Sequence, residues 1–238
     1  MQTKQEVRER VWGLLQSEGA ARFPGARGRI PNFIGAEAAA RQLARTEEWT
    51  GAYVVKSNPD SPQLPVRALA LAESKLLYMA VPKLRDAKPF LFLDPKRAGD
   101  ARKAASIRGS SSLGRPVAIS AMRHLDLVVC GSVAVNRNGV RIGKGGGFSD
   151  IEFALLAEAG LVTERTRVAT TVHPLQVLDE DLPETDHDFR VDLIVTPDET
   201  IRPTRARRPG RIIWADLDER KIGEIPVLQA LARRRPQI

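Results

Sequence analysis

Apolar residues along this chain follow two alternating patterns. Uninterrupted apolar runs, of which 76–81 and 90–93 are examples, are typical of strands buried on both faces of a sheet. Strands are predicted at 52–56, 76–81, 90–93, 125–130, 167–171, 190–196 and 211–216. Apolar residues at helical spacing, with local start signals, predict helices at 3–17, 36–48, 66–74, 96–106, 149–159 and 218–233.

The alternation of strands with helices predicts an α/β fold. In such a fold a mainly parallel, open sheet carries helices on both faces. Residues 108–112 are predicted to be a loop, and residues 198–210 an exposed hairpin or linker too short to separate two domains. We therefore expect a single domain over residues 1–238.

The first predicted helix carries a lysine near its apolar face. Val7, Val11, Leu14 and Leu15 form one stripe, and Lys4 lies about 35° from the centre of that stripe at 100° per residue. A lysine on a buried face needs an anionic partner or must extend to solvent. Fraying of the helix end, with the lysine in water, is the alternative interpretation.

Residues 143–147, here called the glycine loop, carry the densest signal for ligand chemistry. Their glycines permit a close backbone approach, and their N–H groups can form an anion-binding concavity. Arg141 and Lys144 add charge that complements phosphate. Ser149 and Glu152 have capping-box spacing, so a helix N-terminus is expected to follow the loop. The segment predicts a phosphate site, although it matches neither the Walker A motif nor the dinucleotide fingerprint.

An aspartate follows the glycine loop. A carboxylate beside a phosphate repels it unless a cation lies between them, and Mg²⁺ is commonly held by one or two carboxylates together with phosphate oxygens. Asp150 is therefore a candidate magnesium ligand, unless it only complements the dipole of the following helix. Asp188, in an acidic segment before the strand predicted at 190–196, is a candidate second ligand. That segment could equally be a solvated acidic loop.

Composition and charge narrow the classes of site and partner. The chain has 238 residues, with 37 Lys and Arg against 29 Asp and Glu, so its formal charge is +8. This sign suits a nucleic acid, a membrane surface or a nucleotide. A single cysteine, Cys130, excludes an internal disulfide and a multi-cysteine metal site, and it fits a reducing compartment. With no apolar segment long enough for a membrane span or a secretory signal, we expect a soluble cytoplasmic protein.

Four segments carry motifs in a defined order. Residues 4–8 read K-x-x-[LV]-R, and 125–131 follow a strand of the type LDLVVVPG with cysteine in place of proline. Residues 139–150 match G-x-R-x-G-x-G-x-G-[FY]-[YS]-D, and 187–196 match [HN]-D-x-x-V-D-x-[IV]-V-T. Over essentially the whole chain, this order resembles the 5-formyltetrahydrofolate cyclo-ligase (methenyltetrahydrofolate synthetase) family. The resemblance implies the layered, NagB-like α/β fold of that family.

The resemblance also implies an activity. The family couples ATP hydrolysis to the cyclisation of 5-formyltetrahydrofolate into 5,10-methenyltetrahydrofolate, with release of ADP and phosphate. The formyl oxygen attacks the γ-phosphate, N10 attacks the activated carbon, and phosphate leaves. Similarity to this family therefore implies an ATP- and Mg²⁺-dependent ligase of one-carbon metabolism, with a folate-like substrate and neither a nucleic acid nor a membrane as partner.

Site roles follow from the resemblance position by position. It implies that Lys4, Arg141 and Lys144 are catalytic and stabilise phosphoryl charge. It implies that ATP is bound by Lys4, Arg8, Arg141, Gly143, Lys144, Gly145, Gly146 and Gly147. It implies Asp150 and Asp188 as the ligands of Mg²⁺.

Two segments depart from the family pattern. Asp150 is followed by Ile151 where the family typically has arginine, and residues 58–61 read Asn-Pro-Asp-Ser without the glutamate that contacts folate in the family. Both segments resemble a divergent subgroup, the methenyltetrahydrofolate-synthetase-domain-containing proteins. The alternative is therefore a nucleotide-binding paralogue that acts on a different small substrate, such as a thiamine-related metabolite.

A second alternative is a non-catalytic RNA-binding module. It would use the arginines at positions 202, 205, 207, 208 and 211 together with those at 233–235. No aromatic residue suited to base stacking interleaves with these arginines. The last three could instead complement the dipole of a final helix.

Overall fold

The apolar runs form the strands of two sheets. In the computed structural model, which describes residues 2–204 and 207–235, the strands are β1 (Val54–Ser57), β2 (Leu76–Ala80), β3 (Phe90–Leu93), β4 (Arg115–Val117), β5 (Leu127–Cys130), β6 (Ala134–Asn136), β7 (Arg141–Ile142), β8 (Arg167–Thr171), β9 (Val177–Leu178), β10 (Leu193–Val195) and β11 (Thr200–Ile201). The helices are α1 (Lys4–Ser17), α2 (Ala36–Leu43), α3 (Glu47–Thr50), α4 (Leu64–Ala72), α5 (Ala101–Ala104), α6 (Ile107–Leu113), α7 (Phe148–Glu158), α8 (Glu219–Glu224) and α9 (Pro226–Ala232).

The larger sheet has eight strands in the order β11-β10-β8-β5-β1-β2-β3-β4. The five strands β10, β8, β5, β1 and β2 run parallel, while β3, β4 and β11 join antiparallel toward the edges. In β5, Leu127 and Val129 face one layer of the core, and Val128 and Cys130 face the other. Both faces are buried, which explains the uninterrupted apolar runs.

Helices cover both faces of this sheet. Leu43 of α2 and Val66 of α4 pack on one face. On the opposite face, Phe153 of α7 and Leu228 of α9 are buried in a second cluster, and the ring of Phe153 stacks on Phe189 at 4.4 Å between centroids. The predicted α/β fold, with a mainly parallel open sheet flanked by helices, is confirmed.

The smaller sheet, in the order β7-β6-β9, supports the N-terminal helix. Val7, Val11 and Leu15 of α1 are buried with Ala134 and Ile142 from β6 and β7. Helix α1 begins in a capping box, so its first turn is hydrogen-bonded rather than frayed. Because β7 leads directly into the glycine loop, this packing places the start of α1 beside that loop.

The structure corrects several predicted elements. The loop expected at 108–112 is helix α6, which begins because the side chain of Ser106 caps the N–H of Gly109. The strand expected at 211–216 contains a 3₁₀ turn, Trp214–Asp216. Only a 3₁₀ turn and the short α5 occupy the helix predicted at 96–106.

Two predicted helices are each divided in two. The helix expected at 218–233 is split into α8 and α9 at Pro226, which has no N–H to continue the first helix. The helix expected at 36–48 is split into α2 and α3, the second capped by Thr46. None of the helices in the described residues is long and apolar enough to cross a membrane. A single domain over the whole chain stays a prediction.

Candidate active site

A cavity of about 790 Å³ opens at the carboxyl ends of the parallel strands. Residues 58–61, 81–84 and Gly131 line it, and they follow β1, β2 and β5 respectively. In α/β sheets this edge is the usual place for a ligand, because the loops that follow the strands converge there. The glycine loop and the first turn of α7 also line the cavity.

The residues that the sequence analysis singled out meet in this cavity. They come from α1, β7, the glycine loop, α7 and the loop before β10. The set that lines the cavity includes Lys4, Arg8, Arg141, Gly143, Lys144, Gly145, Gly146, Gly147, Asp150 and Asp188. Their convergence supports one shared ligand, while the individual roles stay predictions.

Arg141 lies buried next to the glycine loop. Its guanidinium contacts the carboxylate of Asp150 and lies 3.9 Å from the centroid of the Phe189 ring. Burial opposes the charge, but the carboxylates of Asp150 and Asp188 stabilise it, so the pKa of Arg141 is raised above its ordinary value. Its Nε has no hydrogen-bond partner within residues 2–204 and 207–235. The site therefore contains a permanently charged guanidinium that is not saturated by the protein.

Lys4 has the anionic partner that its position on α1 requires. Its ammonium contacts Asp188, which also accepts hydrogen bonds from the backbone N–H of Thr185 at 2.6 Å and from the Thr185 hydroxyl at 2.8 Å. Burial acts to raise the pKa of Asp188, but these hydrogen bonds prevail and hold it below the ordinary value. The lysine thus stands in the cavity rather than in bulk water.

The Lys4–Asp188 contact predicts a pH-dependent contribution to stability. The pKa of Asp188 is lower in the folded chain than in the unfolded chain. The ionised carboxylate therefore contributes its full stabilisation at pH values above the unfolded pKa, and this stabilisation is lost as the pH falls through the folded pKa. Asp188→Asn is expected to reduce the free energy of unfolding by about 1.5–3 kcal/mol near neutral pH. This difference should shrink below about pH 4.

Urea unfolding at about pH 6 and about pH 3 checks this expectation. Asp179→Asn is the matched control, because the Asp179 side chain is 90% exposed and pairs with Arg137 on the surface. That variant should resemble the parent protein at both pH values. If Asp188→Asn loses as much free energy of unfolding at the lower pH as at the higher pH, the assignment of a charge to Asp188 is contradicted.

The glycine loop is held from both sides by cations. The Nε–H of Arg8 donates to the carbonyl oxygen of Gly143 at 2.7 Å, and Lys144 donates to Asp60 at 2.9 Å. At Gly145, with φ of 101°, a Cβ atom would lie 3.5 Å from the Arg8 guanidinium carbon. A residue with a side chain would be strained there by its backbone conformation, although its Cβ would make only ordinary van der Waals contact with the arginine.

The predicted capping box at the start of α7 is wrong. Gly147, with φ of 68°, is the N-cap, and no side chain caps this end. Glu152 instead contacts the ammonium of Lys56 on β1, and Lys56 also donates to Asn58 at 2.6 Å. The Lys56 and Glu152 side chains are 3% and 5% exposed, and burial lowers the pKa of Lys56 to about 7. The signal for this pair in the sequence was a lysine at the end of the strand predicted at 52–56.

This fold and site can be compared with known proteins. Residues 1–197 match the model of the 5-formyltetrahydrofolate cyclo-ligase family. The chain belongs to this family. Methenyltetrahydrofolate synthase domain-containing proteins of Mus musculus and Homo sapiens are 39% and 36% identical over 242 and 241 residues, covering 99% of this chain. The chain spans 64% and 63% of the lengths of those relatives.

A solved structure shows the same fold. The NMR structure of Aquifex aeolicus 5,10-methenyltetrahydrofolate synthetase superposes with a TM-score of 0.54 at 20% identity. The match covers 86% of this chain and 94% of the Aquifex aeolicus chain. The central sheet and its helical layers are therefore those of the cyclo-ligase family.

In this cyclo-ligase family member, the segment 58–61, which departs from the family pattern, contacts the first turn of α7 and the glycine loop. The side-chain amide of Asn58 donates to the hydroxyl of Ser149 at 3.3 Å, and the Asn58 amide oxygen accepts from Lys56, which also contacts Glu152. Asp60, from the same segment as Asn58, accepts from the glycine loop. The segment 58–61 thus forms part of the cavity wall, whereas Ile151 is not among the described residues that line this cavity.

The two predicted metal ligands suit a hard cation. Asp150 uses Oδ1 for Arg141, and Asp188 uses Oδ2 for Lys4 and Thr185. Among the described residues, the second oxygen of each carboxylate makes no hydrogen bond. The described part of the chain has no cluster of three His, Cys, Asp or Glu side chains. A cation here would need phosphate or water oxygens as well, which is the usual coordination of Mg²⁺ in nucleotide sites.

Proposed function

We propose that this protein binds ATP with Mg²⁺ in the cavity and uses it to cyclise 5-formyltetrahydrofolate to 5,10-methenyltetrahydrofolate. The observation that carries the proposal is the convergence of Lys4, Arg8, Arg141 and Lys144 on the glycine loop. Cations and backbone N–H groups around one cavity complement a polyphosphate. Membership of the cyclo-ligase family supports the reaction type.

In the proposed reaction the formyl oxygen attacks the γ-phosphorus, and the bond from that phosphorus to ADP breaks. The lone pair of N10 then attacks the formyl carbon, the carbon–oxygen bond breaks, phosphate leaves, and the N10 proton is lost. Lys4, Arg141 and Lys144 would stabilise the charge that develops on the phosphoryl oxygens. The glycine loop would position the phosphates for in-line attack.

Asp150 and Asp188 would hold the magnesium ion. When bound, Mg²⁺ supplies positive charge to the phosphate oxygens. Before nucleotide binds, Arg141 and Lys4 neutralise these two carboxylates. The same two cations are thereby already oriented into the cavity that the phosphates would enter.

A second candidate is a different small acceptor, such as a thiamine-related metabolite, at the same nucleotide site. The cavity wall at 58–61 favours it, because Asn58 and Asp60 stand there without the glutamate of the family pattern. Beyond this segment the wall is apolar at Val81 and Leu84. This candidate keeps ATP and changes only the acceptor.

RNA binding is not part of the proposal. Arg202 pairs with Glu48, Arg207 pairs with Asp186, and Arg208 pairs with Asp192. Arg205 lies outside the described residues. The largely buried contact of Arg208 with Asp192 would have to break before Arg208 could bind a phosphate, whereas the more exposed pairs of Arg202 and Arg207 contribute little.

The test combines nucleotide binding with turnover. Calorimetry with ATP and Mg²⁺ should show binding, and near-ultraviolet absorbance should show the methenyl product from 5-formyltetrahydrofolate. Asp150→Asn should abolish turnover, whereas the exposed Asp179→Asn should not. ATP binding without turnover of the folate would overturn the first acceptor in favour of the second candidate. Failure to bind ATP would overturn the nucleotide site itself.

A further inference from the structure

The segment that follows the family match contacts the candidate site. The match ends at residue 197, and the later residues form the turn Trp214–Asp216 with α8 and α9. Ile225 and Leu228 from this segment are fully buried in the core cluster that includes α7. The backbone N–H of Ile212 donates to Glu158 at the end of α7 at 3.0 Å. These contacts fix the segment against the helix that the glycine loop begins.

Lys221 of α8 reaches the glycine loop itself. Its ammonium donates to the carbonyl oxygen of Gly146 at 3.2 Å and lies 4.2 Å from the centroid of the Phe148 ring. In the described residues Lys221 is not among those that line the cavity. Lys221 instead lines a smaller adjoining cavity with Gly147, Asp150 and His187, and its hydrogen bond to the loop is made to a carbonyl oxygen.

The contact with Gly146 fixes the orientation of a peptide group. In a trans peptide the carbonyl and the following N–H point in opposite directions. A carbonyl oxygen held by Lys221 therefore turns the N–H of Gly147 away from α8. Gly147 lies in the left-handed region and flanking glycines offer little resistance to peptide rotation, so an external contact is needed to hold this orientation.

The segment has a second attachment to the candidate site. Asp216 and His187 are joined by a hydrogen bond of 2.7 Å to the Nδ1 of the histidine. His187 precedes Asp188 and lines the cavity. The segment thus contacts both the glycine loop and the acidic loop before β10.

We propose that Lys221 is a positioning residue that holds the glycine loop in its phosphate-binding conformation. This inference rests on the proposed nucleotide site. It assigns a function to a segment that lies beyond the family match. Lys221 acts through the Gly146 carbonyl and does not touch the ligand.

Calorimetry with ATP and Mg²⁺ tests this role in the full chain. Lys221→Met is expected to weaken ATP binding about tenfold, since a hydrogen bond from a charged group is lost, and Lys221→Arg should restore most of it. The matched control is Arg220→Met, which removes the neighbouring cation of α8 that is 87% exposed and should bind as the parent does. Equal binding by Lys221→Met and the parent, or equal losses in Lys221→Met and Arg220→Met, would overturn the proposal.

Hydrogen exchange separates this inference from the nucleotide site. Without any ligand, the amides of residues 145–147 should exchange faster in Lys221→Met than in Arg220→Met, while the core strands exchange alike. If the parent protein does not bind ATP, the proposed function fails, and this exchange experiment still decides whether Lys221 orders the loop. Unchanged exchange at 145–147 would overturn the positioning role.

Discussion

Replacing Lys56 with methionine is expected to lower the free energy of unfolding by about 3–5 kcal/mol at about pH 6, below the pKa of about 7 that burial gives Lys56. The substitution keeps the apolar volume of the side chain but leaves Glu152 buried without its cation. A carboxylate in that position must be desolvated without compensation or take up a proton. Urea unfolding measures the loss, and an unchanged slope with denaturant would show that the native state remains equally compact.

A second substitution separates the pair from the packing around it. Lys56→Met with Glu152→Leu removes both charges and should recover most of the lost stability, because the desolvation cost disappears with the pair. The control is Arg10→Met, which breaks the contact of Arg10 with Glu180, two side chains that are 44% and 43% exposed. It should cost less than about 1 kcal/mol. A Lys56→Met variant no less stable than Arg10→Met would contradict the buried pair.

Replacing Arg141 with methionine is expected to weaken ATP binding by about 30-fold to several thousand-fold, which corresponds to about 2–5 kcal/mol. The guanidinium is buried and permanently charged, and its Nε is unsatisfied within the described residues. Its loss removes a phosphate ligand from the proposed site. It also leaves Asp150 as an uncompensated negative charge in the cavity. Calorimetry with ATP and Mg²⁺ is the measurement.

The matched control for this variant is Arg137→Met. Arg137 lies before the same strand but pairs with Asp179 and Glu199 on the surface, so ATP binding should not change. Near-ultraviolet circular dichroism checks that Arg141→Met keeps the packing of Phe189. Lys4→Met removes a less buried cation from the cavity and should weaken binding in the same direction. Normal affinity in both cavity variants would contradict the proposed phosphate site.

The main strands of the central sheet could be predicted because their burial on both faces requires uninterrupted apolar runs, which can be recognised in the sequence. The run 76–81 on the parallel strand β2 and the run 90–93 on the neighbouring antiparallel strand β3 are apolar on both faces, because both faces of the sheet are covered. Strands β6, β7 and β9 have only two or three residues each. A pattern with period two cannot be recognised over so short a length, so the smaller sheet had no signal of its own.

Helix α6 was missed for a different reason. Its Ser110, Ser111 and Ser112 are weak helix formers and are frequent in loops. In the structure the hydroxyls of Ser110 and Ser111 donate back to the carbonyl oxygen of Ile107, and Ser110 is fully buried. Tertiary packing therefore makes this segment helical although its local sequence propensity favours a loop.

The candidate site could be predicted as a set of residue types, but not as a network of contacts. The glycine loop and Asp150 lie close together in the sequence, and their residue types indicate an anion-binding site. The partners of Lys4 and Lys56 depend on which strands and loops become neighbours, and that information is not local. Ser149 and Glu152 matched a capping box in sequence, but the backbone began the helix at Gly147, which freed Glu152 for Lys56.

The contact between Lys4 and Asp188 joins residues that are 184 positions apart. A ribosome needs about 10–40 s to add that many residues at about 5–20 per second. During that interval a newborn chain has the residues of α1 but lacks the acidic loop that completes the cavity. A nascent chain is therefore not expected to capture nucleotide, and ligand binding would report that synthesis has passed residue 188.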